Sequence, residues 1–363
     1  KRTKAGCTVL APSRRPDLEI EADLIEEVMR IHGLDKVPVH PPQTRFISAA
    51  DDSAVRAASA CGRAAAGLGL TEIVNYSFVS ERLLDLFGTD DSASRVVLPN
   101  PVSADQSVMR PSLVPQMAAT LGYNLARQAS EASLFEIGRV FNRESAGRLG
   151  EETRLAVGVL GPVGRSGLDK RRAVEADEVF LWAKGVLEAL SASLRSPAFS
   201  FTAAGPAWAE SGMAATIASG GAAAGVVCIL KQSIRAEWRM ARPVALLEVK
   251  LAALIPNVFA VNQVKPLAAY PTVARDVALV VDNSVKHEDI VRIMQENAPP
   301  ELTRIELFDI YAGKGIGAGR KSLAYSLTYR SLERTLTDEE ANALHEAVKR
   351  RIVNELKAEV RES

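Results

Sequence analysis

The chain has 363 residues, room for two or three domains, and its 47% hydrophobic content is ample for buried cores. Lys plus Arg and Asp plus Glu both number 44, so the whole chain exerts no net pull toward nucleic acid, and any such binding rests on a local patch or a partner. Cys7, Cys61 and Cys228 lack paired spacing, which excludes a disulfide framework and a cysteine zinc site and suits a reducing cytoplasm; with no run of 18 apolar residues, no membrane partner is expected.

The sequence opens on Lys-Arg-Thr-Lys, with neither an initiator Met nor the apolar core of a signal peptide, and reads as the C-terminal part of a longer polypeptide. Residues 15–33 follow as an acidic amphipathic helix behind an extended lead-in carrying Asp17. Leu24, Val28 and Ile31 sit at i, i+4 and i+7 and are expected to face a core. Asp23, Glu26, Glu27 and Arg30 fall on the other side, and Gly33 closes the helix. Two readings stand on these residues. Asp17, Asp23, Glu26 and Glu27 converge on a small volume whose oxygens suit octahedral Mg²⁺. Alternatively, the acids complement the helix dipole and Glu26–Arg30 is an ordinary i, i+4 pair.

Residues 45–262 predict helices at 54–68, 111–126 and 178–190. Strands are expected at 71–79, 96–102, 133–141, 155–160, 214–217, 224–230 and 244–249. Strands with interspersed helices on an antiparallel sheet make this block α+β. Alternation puts Glu136 and Arg139 on opposite faces of one strand, and each is read as a member of a buried or interface ion pair rather than a catalytic group. His32, His40, His287 and His345 show no metal spacing, and no nucleophile–base pair is visible. Residues 261–269 read as a short linker.

The last stretch predicts strands at 277–282, 302–312 and 321–331, helices at 287–298 and 337–356, and a short final strand. That order is βαββαβ, a ferredoxin-like unit. Thr337 and Glu340 form a capping box. Leu323, Tyr325, Leu327 and Tyr329 alternate toward the helices, while Ala324, Ser326, Thr328 and Arg330 leave a polar open face. The Gly-rich run 313–319 lies between strands, so it reads as a hairpin rather than a phosphate loop, which needs a following helix.

Three sets of motifs carry a resemblance. The first is Tyr-Pro-Thr-Val-Ala-Arg-Asp at 270–276 with Phe-Asp-Ile-Tyr-Ala-Gly-Lys-Gly at 308–315 and Lys-Ser at 321–322. The second is the acidic motif of 12–38. The third is Leu-Pro-Asn-Pro at 98–101, Met-Arg-Pro-Ser-Leu at 109–113 and Leu-Phe-Glu-Ile-Gly-Arg-Val-Phe at 134–141. Together they resemble the C-terminal part of the phenylalanyl-tRNA synthetase β subunit. The resemblance implies three parts: residues 1–43 as the remnant of a helical domain, 44–262 as a non-catalytic core on the class II synthetase fold, and 268–363 as the anticodon-binding domain. It implies Asp17, Asp23, Glu26 and Glu27 as Mg²⁺ ligands. It also implies an α subunit that carries the active site for ATP, an (αβ)₂ heterotetramer, tRNA(Phe) as the RNA partner, and a cytoplasmic location.

A competent class II site needs arginines for the ATP phosphates, from a Phe-Arg-x-Glu and a late Gly-x-Gly-x-x-Arg element. Neither is found, so no catalytic residue is assigned. The segment 205–240 departs from the family: Trp208 is followed by Ala-Glu-Ser rather than His-Pro-Gly. For tRNA contact the expected residues are Tyr270, Arg275, Tyr311, Lys314, Arg320, Lys321, Ser326 and Arg330. Two other functions compete with this reading, a single-chain active synthetase and a stand-alone RNA- or protein-binding module.

Overall fold

The computed structural model describes residues 2–3, 6–43, 52–88, 92–143, 147–255, 267–296, 298–313, 316–317 and 319–361. Two compact units divide the chain, Lys1–Ala260 and Val261–Ser363. Most of the expected linker, with Lys314, lies outside the described residues.

In the first unit, α1 (Glu21–His32) precedes α2 (Ser53–Gly67), β1 (Thr71–Glu72) and α3 (Val114–Leu125). Then come β2 (Ala132–Arg143), β3 (Leu149–Leu160) and α4 (Ala176–Leu194). The remaining strands are β4 (Phe199–Thr202), β5 (Ala209–Ser219), β6 (Ala222–Leu230) and β7 (Val244–Lys250). They form one sheet in the order β1-β2-β3-β7-β6-β5-β4. Its pairings are antiparallel except at the β1 edge, where β1 runs parallel to β2. The middle of the sheet is buried on both faces, which is why β7 and the second half of β3 read as near-continuous apolar runs. Leu155, Val157 and Val159 of β3 face a core shared with α2 and α4. Ala156 and Leu160 face a second core shared with Met117, Ala118 and Leu121 of α3. Gly158 lets α3 approach, since a Cβ there would stand 2.7 Å from Met117 Cγ.

The strand expected at 71–79 is interrupted. Only Thr71–Glu72 joins the large sheet, and Phe78–Val79 joins a separate three-stranded sheet. Between them the chain turns so that Asn75 reaches Glu136 through both its backbone N–H (3.2 Å) and its side-chain amide (2.8 Å).

The second unit contains β8 (Val273–Asp282), α5 (His287–Gln295), β9 (Leu302–Tyr311), β10 (Arg320–Tyr329), α6 (Asp338–Leu356) and β11 (Glu359–Arg361). The order along its sheet is β9-β10-β8-β11, the expected βαββαβ topology. Tyr325, Leu327 and Tyr329 are fully buried against Ile290, Ile293, Val348 and Ile352 of the two helices. Each tyrosine hydroxyl finds a histidine, as a buried polar atom must. Tyr325 Oη lies 2.9 Å from His287 Nδ1, and Tyr329 Oη lies 3.2 Å from His345 Nδ1. The capping box forms: the Glu340 N–H donates to Thr337 Oγ1 at 3.3 Å, and the Thr337 N–H donates to the Glu340 carboxylate at 3.0 Å.

One expectation about packing fails. No residue of α1 is buried; Val28 is 68% and Ile31 76% exposed. Periodicity identified the apolar side of this helix, but it carries no information about what covers that side.

Candidate functional site

Three regions carry the chemistry expected from sequence. In the acidic segment the four carboxylates do not converge as a ligand set. Arg15 occupies the space between two of them. Its Nη2 lies 2.6 Å from Asp17 Oδ2 and 2.8 Å from Glu27 Oε1, and Arg30 takes the other Glu27 oxygen at 2.6 Å. Asp23 accepts the backbone N–H groups of Glu19 and Ile20, both at 2.8 Å, and so caps the helix start. Hydrogen bonds from Arg15, then Arg30, hold the Glu27 carboxyl down to about 2. Arg15 likewise lowers Asp17. Among the described residues no group of three or more His, Cys, Asp or Glu is placed to hold a metal ion. This arrangement does not fit Mg²⁺: Arg15 engages the carboxylates of Asp17 and Glu27, and Asp23 serves the backbone.

The sheet face of the first unit next to α3 carries two buried glutamates, each satisfied by its own partners. Glu136 pairs with Arg110 at 2.6 Å, and Arg110 also donates to the Arg139 carbonyl at 2.9 Å. The sequence left the partner of Glu136 open; it is Arg110, while Arg139 pairs with Glu151 at the surface. Glu248 accepts from Ser112 Oγ (2.9 Å), the Leu113 N–H (2.7 Å) and Arg154 Nη1 (2.7 Å). A cavity of about 400 Å³ opens beside this group, lined by Arg154, Trp208, Gly225, Glu248 and Lys250. Both of its cations are neutralised. Arg154 is held by Glu248 and Glu152, and Lys250 by Glu152 at 3.2 Å. A phosphate entering here would meet paired charges rather than a grip.

The open face of the second unit is the third region. In antiparallel pairing, opposed residues share a face. Asp276 opposes Ser326, Glu306 opposes Ser326 from the other strand, and Tyr311 opposes Ser322. Of the expected RNA-contacting residues, Ser326, Tyr311 and Arg320 therefore lie on the open face. Arg320 is bound to Glu359 at 2.8 Å and to the Val280 carbonyl at 3.1 Å. Arg275 and Lys321 lie on the other face, opposite Leu327 and Val281. Arg275 is tied to Asp338 and Asn342 of α6, and Lys321 to the Asn283 carbonyl. Tyr270 and Arg330 sit at one end of the sheet and Tyr311 at the other, about 30 Å apart for strands of ten residues. Arg330 Nε is buried with no hydrogen-bond partner among the described residues. The described ones among the expected residues thus do not form one cluster. The sequence reading also missed Phe308, an aromatic that is 57% exposed on β9. Its signal was a broken alternation, Leu-Phe-Asp-Ile-Tyr, where a regular strand would bury every second residue.

Similarity to known proteins bears on all three regions. The family model described as "Phenylalanyl tRNA synthetase beta chain CLM domain" matches residues 37–251, more than half of the chain. The chain belongs to the phenylalanyl-tRNA synthetase β-chain family. A ferredoxin-fold anticodon-binding domain model matches residues 268–361, and a tRNA synthetase B5 domain model matches residues 1–34. The β subunit of phenylalanine–tRNA ligase from Moorella thermoacetica is 35% identical over 98% of this chain and 44% of its own length. Those of Anaeromyxobacter dehalogenans (34%, 96% and 44%) and Streptococcus agalactiae (33%, 98% and 44%) are similar in the same way. The chain spans less than half the length of these β subunits. The α+β reading and the family recognised from motifs agree with these matches. No helix among the described residues is long and apolar enough to cross a membrane.

Proposed function

We propose that this chain acts within a phenylalanine–tRNA ligase as a non-catalytic part of its β subunit. Its first unit packs against the catalytic α chain in an (αβ)₂ assembly. ATP, with Mg²⁺, binds at the α chain. The second unit binds the anticodon region of tRNA(Phe), and the assembly works in the cytoplasm. One observation carries the reading: the described residues of 268–361, a range matched by an anticodon-binding model, form a βαββαβ unit, and among them one sheet face is free of helices. The pairing of Arg154 with Glu248 and of Lys250 with Glu152 supports the non-catalytic part, because carboxylates committed to both cations weaken their hold on a phosphate.

The test is co-expression with the α subunit of a relative, followed by size analysis and a phenylalanine-charging assay. A stable complex with weak charging is expected. Pyrophosphate exchange by the chain alone would overturn the scaffold reading. Failure to join an α chain while RNA binding survives would leave only an RNA-binding module.

A further inference from the structure

We infer that Phe308 is a base-stacking residue of the second unit, presented to an unpaired nucleotide by a β-bulge; this rests on the RNA-binding reading above. The β9–β10 register shifts between Leu307, which opposes Tyr325, and Asp309, which opposes Ala324. Phe308 is therefore the extra residue. In a bulge two residues face one partner, so Phe308 joins Asp309 on the open side rather than pointing into the helix-covered core. The neighbouring open-face positions are small: Ala324 and Ser326 on β10 and Ala278 on β8. A large exposed ring beside a floor of small side chains is a platform on which a planar group can lie.

Charge selects the planar group. Asp276, Glu306 and Asp309 share this face, and Arg304 is paired with Glu306 at 2.9 Å. Such a surface does not favour a duplex, whose recognition rests on phosphates. It tolerates the face of an unstacked base, which carries no charge and gains affinity from stacking on an aromatic ring. Tyr311, 44% exposed and on the same face, offers a second ring.

The experiment uses the full chain and an RNA hairpin with the tRNA(Phe) anticodon loop, carrying 2-aminopurine at one loop position at a time. Binding and fluorescence quenching are read together. Phe308→Leu is expected to weaken binding roughly 5- to 100-fold, the range for one base–aromatic stack, and to abolish quenching at one loop position. Phe308→Tyr should keep both, and the thermal melting of both variants should match the parent. Parent-like binding and quenching by Phe308→Leu would overturn the stacking role and leave the RNA-binding reading standing. No hairpin binding by the parent chain would overturn both. Loss of α-chain association by Phe308→Leu, with RNA binding intact, would make this face a protein contact and overturn the inference.

Discussion

At the scale of single residues, buried charge is the decisive quantity. Arg110 and Glu136 are 3% and 2% exposed, and the Glu136 carboxylate accepts its hydrogen bonds from Arg110 and Asn75. Arg110→Met leaves that carboxylate without its cation in a dry site, with an expected loss of about 3–5 kcal/mol in denaturant unfolding. Adding Glu136→Leu removes the stranded charge and should recover much of the loss. A double variant no more stable than the single one would show that the pair acts through something other than charge. His345 is the second case. Burial lowers its pKa, and nearby Lys349 acts in the same direction while Glu346 opposes. The folded chain therefore binds this proton less readily than the unfolded chain. The resulting stability is fully present above about pH 6.5, the unfolded value, and is lost as pH falls through the lowered folded value. Melting from pH 7.5 to 5 should fall less steeply in His345→Gln, and identical slopes would refute the assignment. The fate of Asp17 and Glu27 belongs to the same scale. Their types and spacing were legible, but the sequence did not show that Arg15 would fill the space between them.

At the scale of elements, local signals performed well wherever one face of an element was buried and the other was not. The β10 alternation placed Leu323, Tyr325, Leu327 and Tyr329 in the core, and the structure buries all four. The capping box at Thr337 was readable because its chemistry is contained within four residues. Thr337→Ala removes the acceptor for the Glu340 N–H and should cost about 1 kcal/mol, measured by denaturant unfolding of the second unit's transition. A change within ±0.2 kcal/mol would mean that water replaces the cap at no cost. Elements failed where a long-range partner bent them. The run at 71–79 looks like one strand, yet Asn75 is drawn to a glutamate 61 residues away. In β9, the Phe308 bulge arises from register against β10, and no propensity scale contains that register.

At the scale of the whole molecule, the sequence by itself determined the family, the α+β class and the order of elements in the second unit. These follow from apolar periodicity, capping residues and short motifs, each contained in a few neighbouring positions. Tertiary structure alone decided which charges meet. Arg15 lies between Asp17 and Glu27, Arg110 neutralises Glu136, and Arg275 turns to α6 rather than to the open face. The physical reason is range. Secondary structure is set by neighbours a few residues apart. Ion pairs and strand register depend on groups that become neighbours only after the chain has folded.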